Sequence, residues 1–218
     1  MSSYTYDQII QAVKGECAKI NLIYSNDGDG RITSAVKERE YLNLLEKGLK
    51  ENHPSLTFEH QPVYRWWWDC RVNGVPIDLK ITNGGRDNAF NKVSIIYSIS
   101  GNDVKKKKMN YNQFFKVIKE CSKKVERNPM TEFHYLVVNK KTGKVLLKSI
   151  FDIHTFKTNP SNNLQVNWSN EFNHIEFVTP ELHLKKKIQE ILKAIQKSVK
   201  EAIAGMKEFA DANIEELY

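Results

Sequence analysis

Asp69, Asp78 and Lys80 fall within one short stretch, Tyr64 to Thr82, which reads YRWWWDCRVNGVPIDLKIT. Two carboxylates and an ammonium are a set able to hold a divalent cation and act on a phosphate ester. Hard ions such as Mg²⁺ take one or two carboxylates and fill their remaining positions with water and substrate phosphate oxygens. A lysine beside such an ion can position or deprotonate a water, or neutralise charge developing on phosphorus.

That chemistry requires the three side chains to meet, so the elements around them matter. Asn73-Gly74 lies between two β-prone runs, the strongest short signal for a two-residue type I′ hairpin. With the turn there, Val72 faces Val75, Arg71 faces Pro76, Cys70 faces Ile77 and Asp69 faces Asp78. Facing residues share a side of the sheet with Cβ atoms about 5 Å apart. Lys80 follows Asp78 by two and shares that side by the period of 2. Two facing carboxylates repel, so the pattern calls for a shared proton, a neighbouring cation or a bound metal. A solvated hairpin face is the plain alternative, and the register together with the apolar flanks favours the chemical reading.

The stretch Asp69, then Val75-Pro76-Ile77-Asp78-Leu79-Lys80, resembles the D…(D/E)-x-K signature of the PD-(D/E)XK nuclease superfamily, and in size and layout the chain is most similar to its type II restriction endonucleases. Trp68 stands where that family often places a proline. The resemblance implies an α/β (α+β) fold, a restriction-endonuclease-like mixed β-sheet flanked by helices with a long C-terminal helix. It also implies one domain over residues 1–218, with a catalytic core at about 20–150 and peripheral DNA-binding or dimerisation elements at about 151–218. By the same resemblance Asp69, Asp78 and the backbone carbonyl of Leu79 hold Mg²⁺, with Mn²⁺ able to substitute. Lys80 assists the water, and a glutamate on the preceding helix supports the site. The implied activity is sequence-specific double-strand cleavage of DNA by a homodimer, in the cytoplasm, with a cognate DNA methyltransferase expected genetically. A structure-selective repair or recombination nuclease, or a nicking subunit, would keep the fold and change the task. A non-catalytic basic DNA-binding protein would keep only the charge.

Composition is compatible with these readings. The 218 residues suit one domain with a sizeable core. A net charge of +7 favours a polyanionic partner. Three scattered cysteines, Cys17, Cys70 and Cys121, argue against a disulfide framework or a zinc site. Six histidines without ligand spacing argue against a zinc or HNH-type nuclease. The N-terminus lacks the basic start and apolar run of a signal peptide. No segment approaches the ~20 apolar residues that cross a membrane.

Along the chain, Tyr6 to Lys19 reads as a helix with Ile9, Ile10, Val13 and Cys17 on one stripe, followed by a short strand at Ile20 to Tyr24. Ser25 to Gly30 resembles a calcium loop only superficially, because Val36 occupies the position of the bidentate glutamate. A second helix is predicted over Ala35 to Glu51. There Glu38 shares a face with Ala35, Leu42, Leu45 and Leu49, where a buried carboxylate needs a partner. Glu38 is the first candidate for the supporting glutamate and Glu40 the second. Of the three tryptophans, Trp67 is predicted on the Asp69 face and Trp66 and Trp68 in the core.

After Lys80 the chain turns polar. Gly84-Gly85 permits close backbone approach to a ligand, and Arg86, Asn88, Asn91 and Lys92 are types that bond guanine, adenine and phosphate. The alternating run Val93 to Ile99 reads as an edge strand, and Lys105 to Lys108 as a solvated charge run. A helix over Tyr111 to Val125 and strands at Glu132 to Val138 and Lys144 to Leu147 follow. Asn159 to Trp168 reads as a second amide-rich loop, with Asn162, Asn163 and Gln165 as further DNA-contact candidates. A strand near Ile175 to Val178 precedes a long helix, capped at Thr179-Pro180 and running to about Ala212.

Overall fold

Asn73 and Gly74 both take positive φ, 49° and 86°, which a type I′ turn demands and which Asn and Gly adopt most easily. The computed structural model describes residues 4–20, 30–88, 91–103, 109–121, 126–154, 156–161 and 163–211, without the side chains of 30–35, 86–88, 163, 208 and 209. The turn joins β2 (Cys70–Val72) to β3 (Val75–Thr82), pairing Val72 with Val75, Arg71 with Pro76 and Cys70 with Ile77. This is the register the turn predicts. β1 (Phe58–His60) lies antiparallel along β2. On its other edge β3 pairs in parallel with β5 (His134–Asn139), and β6 (Val145–Ser149) completes the sheet antiparallel to β5. The order β1-β2-β3-β5-β6 makes β3 the central strand. A parallel pair cannot be joined by a tight hairpin; here the connection carries β4 (Arg86–Asn88) and the helices α3 (Lys92–Ser100) and α4 (Tyr111–Cys121).

Two apolar clusters cover the two faces. Cys70, Val72, Val75, Ile77, Leu79, Leu136 and Val138 pack with α1 (Tyr6–Cys17) and α2 (Gly30–Asn52), which contribute Ile9, Val13, Tyr41, Leu45 and Leu49. Thr5 caps α1 in a reciprocal arrangement with Gln8. Tyr135 and Val137 face the other way, with α3, α4 and the N-terminal half of α6 (Leu184–Ala210). A second sheet, β4-β8-β7, joins this side through β8 (Asn163–Asn167) and β7 (Lys157–Asn159), and α5 (Trp168–Phe172) follows β8. The chain is thus mixed α and β, with a five-stranded mixed sheet flanked by helices and a long C-terminal helix. Among the described residues no helix is long and apolar enough to cross a membrane.

Four segments depart from the sequence expectation. Val93 to Ile99 is helical, and all seven of these residues are buried. A helix enclosed on every side shows no polar face, so its period is hidden. Its ends were signalled: Asn91 Oδ1 accepts the Val93 amide at 2.9 Å, and Gly101 closes the helix at φ 68°. The stretch expected as the Asn159 to Trp168 loop instead carries β8, paired with β7 as a hairpin, and its Leu164 and Val166 alternate inward with no exposure. Ile175 to Val178 forms no strand; Lys148 Nζ donates to the His174 carbonyl, and the Phe177 ring lies against His154. Thr179 does not cap the long helix. Its hydroxyl donates to the Phe151 carbonyl at 2.5 Å, and a 3₁₀ turn, Glu181–His183, precedes α6. Residues 21–29, which include the expected Ile20–Tyr24 strand beyond its first residue and most of the Ser25–Gly30 loop, lie outside the described residues, as does the lysine run 105–108.

Candidate active site

β3 positions two of the three charged groups. Ile77 and Leu79 face the α1/α2 cluster with no exposure, so Asp78 and Lys80 emerge on the opposite face, in register with Tyr135 and Val137 of β5. Their side chains meet, Lys80 Nζ standing 2.7 Å from Asp78 Oδ2, and retain 29% and 19% exposure. The pair is therefore sheltered by the sheet but open to solvent on one side.

Asp69 reaches the same place by a different route. The extended pairing stops at Cys70, and residues 61–69 are irregular rather than a strand. Asp69 is nevertheless anchored to β3 twice. Its amide donates to the Ile77 carbonyl at 2.9 Å, and its Oδ2 accepts the Leu79 amide at 2.8 Å. The loss of strand geometry also changes the tryptophans. Trp67, expected on the Asp69 face, is 1% exposed and packs in the core beside Tyr97, Phe133 and Trp68. It is unavailable for stacking on a base.

The electrostatics follow from this crowding. Burial, then the Asp78 charge, then Glu38 push the Asp69 carboxyl up to about 7, while Lys80 and the Leu79 amide pull against them. Burial opposes the charge on Lys80, but Asp78, Asp69 and Glu38 together outweigh it and raise its pKa. Lys80 is a cation at neutral pH. Glu38 approaches from α2 and lines, with Asp69, a cleft of about 780 Å³ between α2 and the chain at 60–65. Glu40 is elsewhere: its carboxylate is 2.9 Å from Lys37 Nζ and does not line the cleft. Of the two glutamates, only Glu38 belongs to the charge cluster.

Among the described residues no group of three or more His, Cys, Asp or Glu side chains is spaced to hold a metal ion. The donors on hand are two carboxylates with backbone and water oxygens, which is what Mg²⁺ commonly takes. Burial, and after it repulsion from Asp78, raise the Asp69 carboxyl; a cation would relieve the repulsion, so the residues fit such an ion.

Of the proposed DNA-facing residues, Arg86, Asn88, Asn163 and Gln165 share the β4-β8-β7 sheet, where Asn88 pairs with Gln165, and Asn91 and Lys92 lie at the start of α3. Gly84, at φ 90°, has its close approach to a neighbouring side chain: a Cβ there would stand 2.6 Å from Ser169 Oγ, and its carbonyl accepts that hydroxyl at 2.5 Å. Gly85 is exposed, with its carbonyl accepting the Trp168 amide at 3.1 Å. Asn91 caps α3, and the Lys92 ammonium lies 4.1 Å from the Tyr111 ring centroid. Gln165 bonds the Thr158 carbonyl at 3.4 Å. The side chains of Arg86, Asn88 and Asn163, and all of Asn162, lie outside the described residues.

Sequence reasoning missed the other wall of the cleft, where His60, Gln61, Tyr64 and Arg65 stand opposite Arg39. The one available signal was an exposed Tyr-Arg pair directly before a run of tryptophans. It also missed a second charge cluster. Arg127 forks onto Glu132 at 3.1 and 3.3 Å and reaches Asp152 at 2.6 Å. Ser149 donates to Glu132, and Thr179 donates its amide to Asp152 at 2.8 Å. The chain matches no family model and no curated protein.

Proposed function

We propose that the chain is a Mg²⁺-dependent endodeoxyribonuclease of the PD-(D/E)XK kind, acting on double-stranded DNA in the manner of a type II restriction enzyme. The observation that carries the reading is the cluster itself: Lys80 at 2.7 Å from Asp78, with Asp69 bonded to the backbone between them and Glu38 beside it on the wall of an open cleft. The crossover through helices to a strand parallel with β3 supports it, since helix then strand after the hairpin is the order the resemblance implies.

Asp69, Asp78 and the Leu79 carbonyl would hold the ion. When bound, it supplies Lewis-acid polarisation of a phosphodiester oxygen and makes a water a better nucleophile near neutral pH. Lys80, held charged by its carboxylate neighbours, donates hydrogen bonds and positive charge toward the anion developing at phosphorus rather than accepting a proton. Glu38 orients water at the cleft wall. The Leu79 amide keeps the Asp69 carboxylate turned toward Asp78. A homodimer would let two such sites cut both strands of a symmetric sequence. Its support is the apolar stripe of α6, which continues past the core through Ile203 and Met206, 59% and 69% exposed.

The test is cleavage of a defined plasmid in Mg²⁺ and in EDTA by the wild type, Asp78→Ala and Lys80→Ala. Discrete Mg²⁺-dependent bands lost in both variants are expected. Undiminished cutting by the variants would remove the assignment. Preference for branched over linear duplex would move it to the repair class, and duplex binding without scission in any metal would leave only a binding protein.

A further inference from the structure

The wall of the cleft opposite α2 is a tight turn whose geometry is unusual for its sequence. The Trp66 amide donates to the Val63 carbonyl at 3.2 Å and to Gln61 Oε1 at 3.0 Å. Arg65, third in that turn, has φ 61°, a left-handed conformation that side chains with a Cβ resist. Glycine or asparagine is the usual occupant of such a position. An arginine there accepts a conformational cost, and such outliers concentrate where function over-determines the backbone.

The turn is also tied to the charge cluster through the backbone. The Gln61 amide donates to the Asp69 carbonyl at 3.0 Å, so one end of the turn is bonded to the backbone of the candidate metal ligand. At the other end Trp67 and Trp68 are buried. Arg65 itself is exposed, its guanidinium 5.3 Å from the ring of Tyr64, which is 68% exposed. Among the described residues Arg65 has no acidic partner within salt-bridge distance, unlike His60 nearby, which is 2.8 Å from Glu46. Across the cleft α2 presents Arg39 on the turn adjoining Glu38. A cleft of about 780 Å³ has room for a short run of one strand of a duplex.

From these observations we infer that the cleft between α2 and the 61–66 turn is the track for the strand being cut, with Arg65 and Arg39 holding the phosphates that flank the scissile one. Tyr64 is the platform against which the adjoining sugar or base lies. A planar guanidinium suits phosphate oxygens through paired donors. The left-handed backbone at Arg65 sets the direction in which that fork leaves the turn. The inference rests on the nuclease reading and names how its site receives the substrate. These arginines are positioning residues.

The experiment uses the full chain carrying Asp78→Ala, so that DNA is bound without being cut, and a fluorescent duplex titrated across a range of salt concentrations. Neutralising one phosphate contact lowers the slope of log K against log salt by about 1. Arg65→Gly and Arg39→Ala should each lower the slope by about that amount and weaken binding alike on unrelated sequences. Arg65→Lys should keep the slope, and Lys47→Ala, on the far end of α2, should leave it unchanged. Arg65→Gly should melt no lower than its parent, because glycine relieves the strained φ; a folding defect is thereby separated from a lost contact. An unchanged slope in Arg65→Gly overturns the inference while leaving the nuclease reading intact. Failure of the parent to bind DNA, with no cleavage by the wild type, overturns both.

Discussion

Two clusters in this molecule are each built on a pair of carboxylates beside one cation, the first on Arg127 and the second on Lys80 with Glu38 as a further carboxylate, and they differ in how fully they are satisfied. At Arg127 every carboxylate oxygen of Glu132 and Asp152 has a donor, supplied by the guanidinium, the Ser149 hydroxyl and the Thr179 amide. Glu132 and Asp152 are 1% and 7% exposed. At Asp69 and Asp78 the cation is a lysine with no fork, one backbone amide is bonded, and Asp69 lines a cleft together with Glu38. A planar guanidinium can satisfy two carboxylates together, whereas an ammonium acts as a point charge. The first cluster is closed and complete, so it ties segments together. The second has oxygen lone pairs and charge to spare, and those are what a cation and a phosphodiester would use. Similar composition therefore does not identify a site; the unsatisfied balance does.

The contrast can be broken most decisively at the open cluster. Asp78→Ala and Lys80→Ala should each reduce Mg²⁺-dependent cleavage by at least about a hundredfold, the size expected for losing one charged group that acts on the transition state. Neither should lower the urea midpoint as far as a change in the closed cluster. Arg127→Met is the counterpart: it should destabilise by about 3–5 kcal/mol in urea denaturation, because it strands buried carboxylates. A loss below about 1 kcal/mol would show that the closed cluster is not doing the structural task assigned to it.

Next comes Asp69→Asn, which removes the repulsion while leaving an oxygen for the Leu79 amide. Burial and Asp78 raise the Asp69 carboxyl to about 7 from an unfolded value of 3.8. Between those values the native state binds the extra proton, so its contribution makes stability fall as pH rises from about 4 to about 7, then level off. The variant should lack that descent. At pH 8 it should melt higher than wild type, by about 1–2 kcal/mol after allowance for solvent in the cleft and for Lys80. Added Mg²⁺ should raise the wild-type melting temperature at pH 8 and leave the variant nearly unmoved. A pH-independent wild type would refute the crowding.

The smallest effect separates the clusters by their turns. Gly74 and Gly143 sit at φ 86° and 68°, each in the connection of a hairpin. Alanine at either should cost about 1 kcal/mol of stability. Only Gly74→Ala, which disturbs the register between Cys70 and Asp78, should also slow cleavage more than its stability loss explains.

The open cluster was legible in advance because its geometry is local. An Asn-Gly turn and the period of 2 are enough to bring Asp78 and Lys80 onto one face, and a period of 3.6 puts Glu38 on the face of α2 that reaches them. Asp69 was legible as a neighbour but not in conformation, since a run of three tryptophans looks like a strand and only the core shows that Trp67 and Trp68 are both internal. The closed cluster was illegible because it joins three stretches far apart in sequence, Arg127 with Glu132, Ser149 with Asp152, and Thr179, with no spacing that a helix or strand would impose. The enclosed helix α3 hid for a related reason: burial on all sides erases the polar face by which a period is read. Arg65 was hidden because its significance lies in a backbone angle that arginine seldom adopts.

The place of β3 in the sheet order has a consequence for how the protein would fail. Asp78 and Lys80 ride on the central strand, bonded on both edges, whose amides should exchange with solvent only when the whole sheet opens. Asp69 and Arg65 ride on irregular backbone, which should open at lower free energy than the sheet. Under mild denaturant the segment carrying Asp69 and Arg65 should therefore come away first, leaving the aspartate–lysine pair still seated in an intact sheet.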